Sequence, residues 1–283
     1  MDWSDAILLV LVIAILVLYI RLMLKNQRLR QMADEANRLR REAEATEQRN
    51  RQLKQEMTSN IAHELKTPVS SIRGYLEILL SDKPVDEAQR RHFLQRSYRQ
   101  TLRLSDLIQD VSIINKLEES ADLFPREEVD VSEVALEAAA ELADKAAAKG
   151  IAIANHLPPM PLQGNHELLY CIFRNLIENS IAYAGEGIGI VMETYEPPKP
   201  ATHTASPLYY IRYYDTGRGV PDEYLLKLFD RFVRIGEGRS RSDGGTGLGL
   251  SIVKHAVLFH GGEIYAKNRP EGGLEYYFSL KKQ

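Results

Sequence analysis

Apolar residues run without a break from Ala6 to Ile20 and, past Arg21, continue through Leu22, Met23 and Leu24. At 1.5 Å per residue this stretch makes roughly 28 Å of helix, close to the thickness of a bilayer's hydrocarbon core. Arg21 stands near the end of the run, where its stem can carry the charge to the headgroups. A cleaved signal peptide would need a basic segment before the run and a small-x-small site after it; Asp2 and Asp5 precede it and no such site follows. Residues 1–24 are therefore read as an N-terminal region holding one transmembrane helix in contact with membrane lipid. Arg21, Lys25, Arg28 and Arg30 all come before the next acidic residue, Asp34, so the positive-inside rule puts the rest of a single-pass protein of the inner cell membrane in the cytoplasm. No sensor domain is expected on the outer side.

From residue 25 the pattern changes. Leu29, Met32, Ala36, Leu39, Ala43, Thr46, Asn50, Leu53 and Met57 recur at alternating three- and four-residue steps among charged residues, with no glycine or proline. That spacing predicts a coiled-coil linker over 25–56, with a solvated single helix as the alternative. A seam asparagine such as Asn50 fixes register in dimers. Ile61, Leu65, Val69, Ile72 and Leu76 carry the stripe onward, and His63, two residues and so about 200° from Ile61, faces away from it. Pro68 cannot donate to the carbonyl of Glu64, so a bend is expected just after the histidine. The segment from Ser81 to Val85 breaks the helix. A second amphipathic helix, from about Asp86 to Leu117, carries Leu94, Ser97, Thr101, Leu104, Ile108 and Val111. Residues 57–120 thus read as a helical hairpin, two copies of which would close into a four-helix bundle.

Beyond a joint around Pro125 the pattern mixes periods. Residues 125–283 are read as an α/β domain. The expected helices lie near Val131 to Lys149, His166 to Tyr183 and Gly249 to Phe259; the expected strands are IAIAN, Ile188 to Tyr195, Leu208 to Tyr214, EIYAK and LEYYFSL. The proline-rich segment EPPKPATHTASP is read as a hairpin connection. A net charge of -3 gives no reason to expect direct contact with nucleic acid, and a single cysteine, Cys171, excludes a disulfide framework or a cysteine-rich zinc site.

Three local patterns carry chemistry. NLIEN sets Asn175 and Asn179 four residues apart on one helix face, where amide oxygens can meet a hydrated cation or phosphates. DTGRGVP puts Asp215 at a strand end followed by Gly217 and Gly219, which let a ligand approach the backbone. DGGTGLGLSI brings Gly244, Gly245, Gly247 and Gly249 just ahead of an apolar helix, so backbone amides and a helix N-terminus face a common anion. It has no Lys-Ser/Thr ending and follows no strand directly, unlike the Walker and Rossmann loops.

In order and spacing these patterns resemble the two-component sensor histidine kinases from about residue 57 to 281. NIAHELKTPV resembles their H box, NLIENSIAY the N box, DTGRGVP the first glycine box, LFDRFVRI the F box and GGTGLGLSIVKH the second glycine box, ahead of an HGG turn at His260. The resemblance implies a dimeric hairpin bearing the phosphoacceptor, then a Bergerat-type two-layer α/β sandwich that binds ATP and Mg²⁺ under a lid at about Arg234 to Thr246. It implies His63 as nucleophile, Glu64 as its base, and Thr67 as the residue orienting water for dephosphorylation. It assigns Asn179 to Mg²⁺, Asn175 to the phosphates, Tyr183 and Asp215 to adenine, with Gly217 and Gly219 beside them. Arg234 goes to the γ-phosphate, and Gly245, Gly247, Gly249 and Leu250 to the triphosphate. The implied partners are a second copy of the chain and a separate response regulator whose aspartate accepts the phosphoryl group; phosphatase activity on that partner is also implied, and no receiver domain is expected in the chain.

Two positions depart from the family pattern. Ala182 stands where many members have a lysine or arginine three residues after the second asparagine, and Asn165 replaces an aspartate upstream. The first predicts weaker nucleotide affinity, with Arg239 or Arg241 available to compensate; the second predicts a change in local capping. The alternative reading is a Bergerat-fold ATPase of the gyrase or Hsp90 kind, or a nucleotide-binding scaffold without phosphotransfer. The H-box residues argue against the first, and only Ala182 favours the second.

Overall fold

The computed structural model describes residues 3–81, 84–119, 123–197, 207–234 and 245–282. Two compact units divide the chain, residues 1–61 and 62–283. Helix α1 (Trp3–Leu80) crosses that division, with Pro68 inside it. In the first unit the side chains of residues 4–15 and 17 lie outside the described residues, and so does most of the span expected from Ala6 to Leu24. Among the described residues no helix is long and apolar enough to cross a membrane. Of the heptad positions, Leu29, Ala36, Ala43, Asn50 and Leu53 have side chains outside the described residues, while Met32 and Leu39 are exposed. Glutamates and arginines four apart pair along the surface, Arg38 with Glu42 and Arg40 with Glu44, as an extended polar helix requires.

The second unit begins with the rest of α1 and helix α2 (Glu87–Glu119). Asp86 caps α2, its Oδ1 accepting the amide of Gln89 at 2.7 Å. Pro68 does not interrupt α1. It is buried, and Thr67 Oγ1 donates to the carbonyl of His63 at 3.3 Å just before it. Tyr75 and Phe93 stack at 5.6 Å, joining the two helices. Of the α2 stripe only Ser97 is buried; Leu94 and Ile108 are exposed, and so are Val69 and Leu76 of α1. The buried side of the C-terminal half of α2 is instead Leu107, Ile113 and Ile114, where α2 meets helix α7 (Gly249–Phe259).

The α/β domain has two layers. Strands β2 (Ala152–Asn155), β4 (Gly189–Thr194), β5 (Leu208–Asp215), β7 (Leu274–Lys281) and β6 (Ile264–Asn268) form one sheet in that spatial order. β2 runs parallel to β4 and the other neighbours are antiparallel. α3 (Val131–Glu141), α5 (His166–Asn179) and α7 lie side by side. The apolar side of α5, including Leu169, Ile172, Phe173 and Leu176, is fully buried, with Ile190, Ile211, Phe278 and Leu280 of the strands in the same core. Phe173 meets Phe278 edge to face at 6.1 Å.

Three features differ from expectation. The alanine-rich helix ends at Glu141 and restarts as α4 (Ala143–Ala147), because Leu142 turns fully inward with φ -95° and ψ 2°. A small antiparallel pair, β1 (Glu127–Asp130) with β3 (Pro161–Gly164), was not foreseen. A short helix α6 (Asp222–Leu225), in the segment after the first glycine box, was likewise not expected, and the remaining elements match within a few residues.

Candidate functional site

The site is built around the end of β5. Alternation along the strand sends Tyr213 and Asp215 to one side, toward α5, and both are buried. Asp215 Oδ1 accepts the amides of Gly217 at 2.9 Å and Leu274 at 3.3 Å, and Oδ2 accepts the hydroxyl of Ser180 at 3.0 Å. The hydroxyl of Tyr213 is 2.9 Å from Ser180 Oγ and 2.9 Å from the carbonyl of Leu176, with one proton to share between them. Burial holds the Tyr213 phenol well above its ordinary range, so it stays neutral. The arrangement fixes the carboxylate while leaving it lone pairs for a further donor.

Ser180 opens a π-helical turn, Ser180–Ala184, that follows α5 directly. Such wide turns interrupt helices at functional sites, and this one carries Ala182 and Tyr183. Tyr183 is partly exposed, and its hydroxyl accepts the amide of Gly245 at 3.3 Å. Below the strand end, Arg269 donates to the carbonyl of Asp215 at 3.2 Å and lies over the Tyr214 ring at 4.3 Å. Asn268 ties down the first glycine box by accepting the amide of Val220 at 2.9 Å and donating to its carbonyl at 2.7 Å. Ser180, Tyr213, Asn268 and Arg269 escaped the sequence reading. Their only signal is adjacency: Ser180 follows Asn179, and Tyr213 stands two residues before Asp215 on the same strand face.

The second glycine box lies across this floor. Gly247 has φ 75°, and a Cβ there would come within 3.0 Å of Phe232 Cα and 3.6 Å of Arg234 Cγ. The carbonyl of Gly247 accepts the amide of Phe232 at 2.8 Å; Phe232, in the F box, is itself at φ 61°. Among the described residues it is the one non-glycine with positive φ, a conformation that costs free energy unless its surroundings hold it. At Gly249 any side chain would run into the Asn175 amide, so the start of α7 sits directly on the N-box helix. Asn175 Nδ2 donates back to the carbonyl of Cys171 at 2.8 Å, and Asn179, one turn on, is half-buried. The structure thus gathers Asn175, Tyr183, Arg234, Gly245, Gly247 and Gly249 around one loop, with Asp215 and Gly217 joined to it through Ser180 and Tyr183. Leu250 is in the first turn of α7. Residues 235–244, including Gly244, Arg239 and Arg241, and His203 in the proline-rich loop, lie outside the described residues.

On the hairpin, His63 is exposed. Glu64 is turned inward to α2, where Arg103 Nη2 lies 3.2 Å from its Oε2. Further along α2, Asp110 Oδ2 accepts the hydroxyl of Thr246 at 2.7 Å, linking the hairpin to the glycine box. Burial, with Asp106 and Glu178 nearby, raises the Asp110 carboxyl to about 6 against the opposing effects of Thr246 and Arg174.

Two family models match the chain: the His Kinase A (phospho-acceptor) domain over residues 53–120 and the histidine kinase-, DNA gyrase B- and HSP90-like ATPase domain over residues 164–283. The chain belongs to the two-component sensor histidine kinases. Drug sensory protein A of Synechocystis sp. is 31% identical over 80% of this chain and 35% of its own length. Signal transduction histidine-protein kinase BaeS of Escherichia coli is 29% identical over 83% of this chain and 48% of its own. The chain therefore spans about a third to a half of the length of these two relatives. The structure of histidine kinase ThkA in complex with response regulator protein TrrA superposes with a TM-score of 0.60 at 20% identity, covering 81% of this chain and 61% of that one. Full-length ShkA in complex with AMPPNP gives 0.56 at 23%, covering 80% and 45%. Both share the fold of a helical hairpin followed by an ATPase sandwich.

Within this family frame two further groups have structural duties. His260 of the HGG turn is buried: its Nδ1 donates to the carbonyl of Ala256 at 2.7 Å and its Nε2 accepts the amide of Asn165 at 3.0 Å, fixing the tautomer. Burial lowers the ring to about 4. Asn165 caps α5 through Leu168 N at 3.0 Å and donates to the carbonyl of Pro125 at 2.9 Å, so its role reaches beyond capping to pinning the joint. Cys171, pushed up to about 12 by burial, is an unreactive thiol.

Proposed function

We propose that this chain is a homodimeric, ATP-dependent protein-histidine kinase that phosphorylates itself on His63 and passes the phosphoryl group to an aspartate of a separate response regulator. The observation that carries the reading is the union, in one chain, of an exposed histidine beside an oriented carboxylate and a nucleotide floor whose buried Asp215 is fixed by three hydrogen bonds. A gyrase-like or Hsp90-like ATPase would have no use for the first, and a scaffold would have no use for both.

In the proposed reaction adenine lies against Tyr183 and donates its amino group to Asp215. The triphosphate lies along the amides of Gly245, Gly247, Gly249 and Leu250 at the start of α7, where a helix N-terminus favours negative charge. Asn175 supports the phosphates, and Arg234 offset the charge that builds on the γ-phosphoryl group as it transfers. The Asn179 amide oxygen, a hard donor, would hold Mg²⁺, which would supply positive charge to offset that of the triphosphate. Neutral His63 attacks phosphorus through Nε2; the bond to the β–γ bridging oxygen breaks, ADP leaves, and the Nδ1 proton goes to Glu64. Thr67, one turn from His63, would orient water in the reverse, phosphatase direction.

The exposed apolar residues Val69, Leu76, Leu94 and Ile108 support pairing of two hairpins as a bundle. The TrrA complex of ThkA supports a response regulator as acceptor, and the AMPPNP complex of ShkA supports ATP as donor. The apolar run from Ala6 to Leu24 supports anchorage in the inner membrane with the enzyme in the cytoplasm. Incubation of the chain with γ-labelled ATP and Mg²⁺ tests the reading: an acid-labile, alkali-stable label is expected, absent in His63→Gln. Absence of any such label from a chain that binds ATP would favour the scaffold.

A further inference from the structure

The pair formed by Glu64 and Arg103 differs in kind from two neighbouring contacts of the hairpin. Arg73 and Glu77 pair along one helix in the open, both more than two-thirds exposed, and Tyr75 on Phe93 is an aromatic stack. Arg103 and Glu64 instead meet from opposite helices with side chains 18% and 28% exposed. An ion pair removed from water holds two helices no better than an apolar pair of the same volume, because both charges lose hydration. Its placement one residue from His63 gives it a purpose that packing lacks. Neighbouring residues on a helix do not face each other, so a glutamate needs outside help to present its carboxylate to the imidazole before it. Arg103 engages Oε2 and leaves Oε1 as the oxygen that can receive a proton.

We propose that Arg103 is a positioning residue for proton removal from His63, acting through Glu64. This rests on the reading of Glu64 as base. Arginine suits the task because its planar donors fix the direction of a carboxylate as well as its place. No covalent step changes: the proton still passes from His63 Nδ1 to Glu64. What Arg103 supplies is one rotamer of Glu64, held before ATP arrives.

The test is a double-mutant cycle in the full chain, with autophosphorylation rates measured against ATP concentration for wild type, Arg103→Ala, Glu64→Gln and the double variant. Arg103→Ala is expected to lower kcat about tenfold with KM for ATP unchanged, a part of the 10²–10⁴-fold that a positioned base supplies. Arg103→Lys, which keeps the charge but lacks the planar donors, should restore only part of the rate. In the Glu64→Gln background the Arg103 substitution should have no further effect. Where Arg103→Ala does not fold, judged by its urea midpoint, Arg103→Gln takes its place in the cycle. Losses that multiply in the double variant, or a KM that moves with kcat, would mean a structural tie and overturn the proposal, as would full activity of Arg103→Ala beside an inactive Glu64→Gln. Full activity of Glu64→Gln would instead remove the base reading on which the proposal rests.

Discussion

The hydroxyl of Thr246, inside the second glycine box, donates to the carboxylate of Asp110 on the second hairpin helix across 2.7 Å. The Asp110 carboxyl is raised to about 6, chiefly by burial, with Asp106 and Glu178 adding repulsion and Arg174 and Thr246 opposing it. A raised folded value means that the folded chain binds this proton more tightly than the unfolded chain, so the stability Asp110 contributes is fully present below the ordinary carboxylate value and is lost as pH rises through about 6. Amide exchange at Gly245, Thr246 and Gly247, corrected for the intrinsic pH dependence, is expected to show greater protection at pH 5.5 than at pH 7.5. Asp110→Asn, which keeps the acceptor without the charge, should abolish that difference.

Asp215 and Ser180 make a second prediction. Replacing Asp215 by Asn puts an amide donor among groups that already donate to it, the amides of Gly217 and Leu274 and the hydroxyl of Ser180. Affinity for a fluorescent ATP analogue should fall at least tenfold, and stability should fall by about 1–3 kcal/mol for the unsatisfied buried groups. Ser180→Ala removes the bond to Asp215 and the contact with the Tyr213 hydroxyl but keeps the carboxylate, so its cost should be about 1–2 kcal/mol with a few-fold loss of affinity. Titration calorimetry and urea unfolding separate the two effects.

How much of this was legible in the sequence follows from the range of each interaction. Helix α7 could be read to the residue, because its glycines stop at Gly249 and its apolar positions then keep helical period to Phe259. Asp215 could be placed at a strand end because the strand is long and the glycines follow at once. Strands β1 and β3 were invisible, since four residues with one or two inward positions, Val129 and Leu162 among them, carry too little alternation. The break at Leu142 was hidden because ADKAAA propagates a helix well; a buried leucine, not a local breaker, makes the turn. Arg103 and Asp110 looked like ordinary charges on an amphipathic helix. Their partners, Glu64 and Thr246, are 39 and 136 residues away, a distance no local pattern spans.

His260 links acid stability to the fold. Its ring sits at about 4, below the 6.5 of an exposed histidine, because charging it would desolvate a cation and break the bond from Asn165. With the folded value depressed, the unfolded chain takes up the proton first, so stability present above pH 6.5 is lost as pH falls toward 4. At pH 5 the loss attributable to this group is on the order of 2 kcal/mol. The urea midpoint should drop between pH 7 and pH 5, and His260→Gln should flatten that drop while lowering the midpoint at pH 7.

At Gly247 the backbone itself is tested. An alanine there must adopt φ 75° with its methyl 3.0 Å from Phe232 Cα, which costs about 1–2 kcal/mol and pushes the F box away from the glycine loop. ATP affinity should fall severalfold, with the melting temperature lowered by a few degrees.

The most direct measurement is the chemical identity of the phosphorylated atom. After reaction with ATP and Mg²⁺, the full chain should give a phosphorus resonance of a phosphohistidine substituted at Nε2, and peptide mapping at neutral pH should place it on His63 alone. Phosphate on Nδ1, on another histidine, or on a serine, threonine or aspartate would contradict the account.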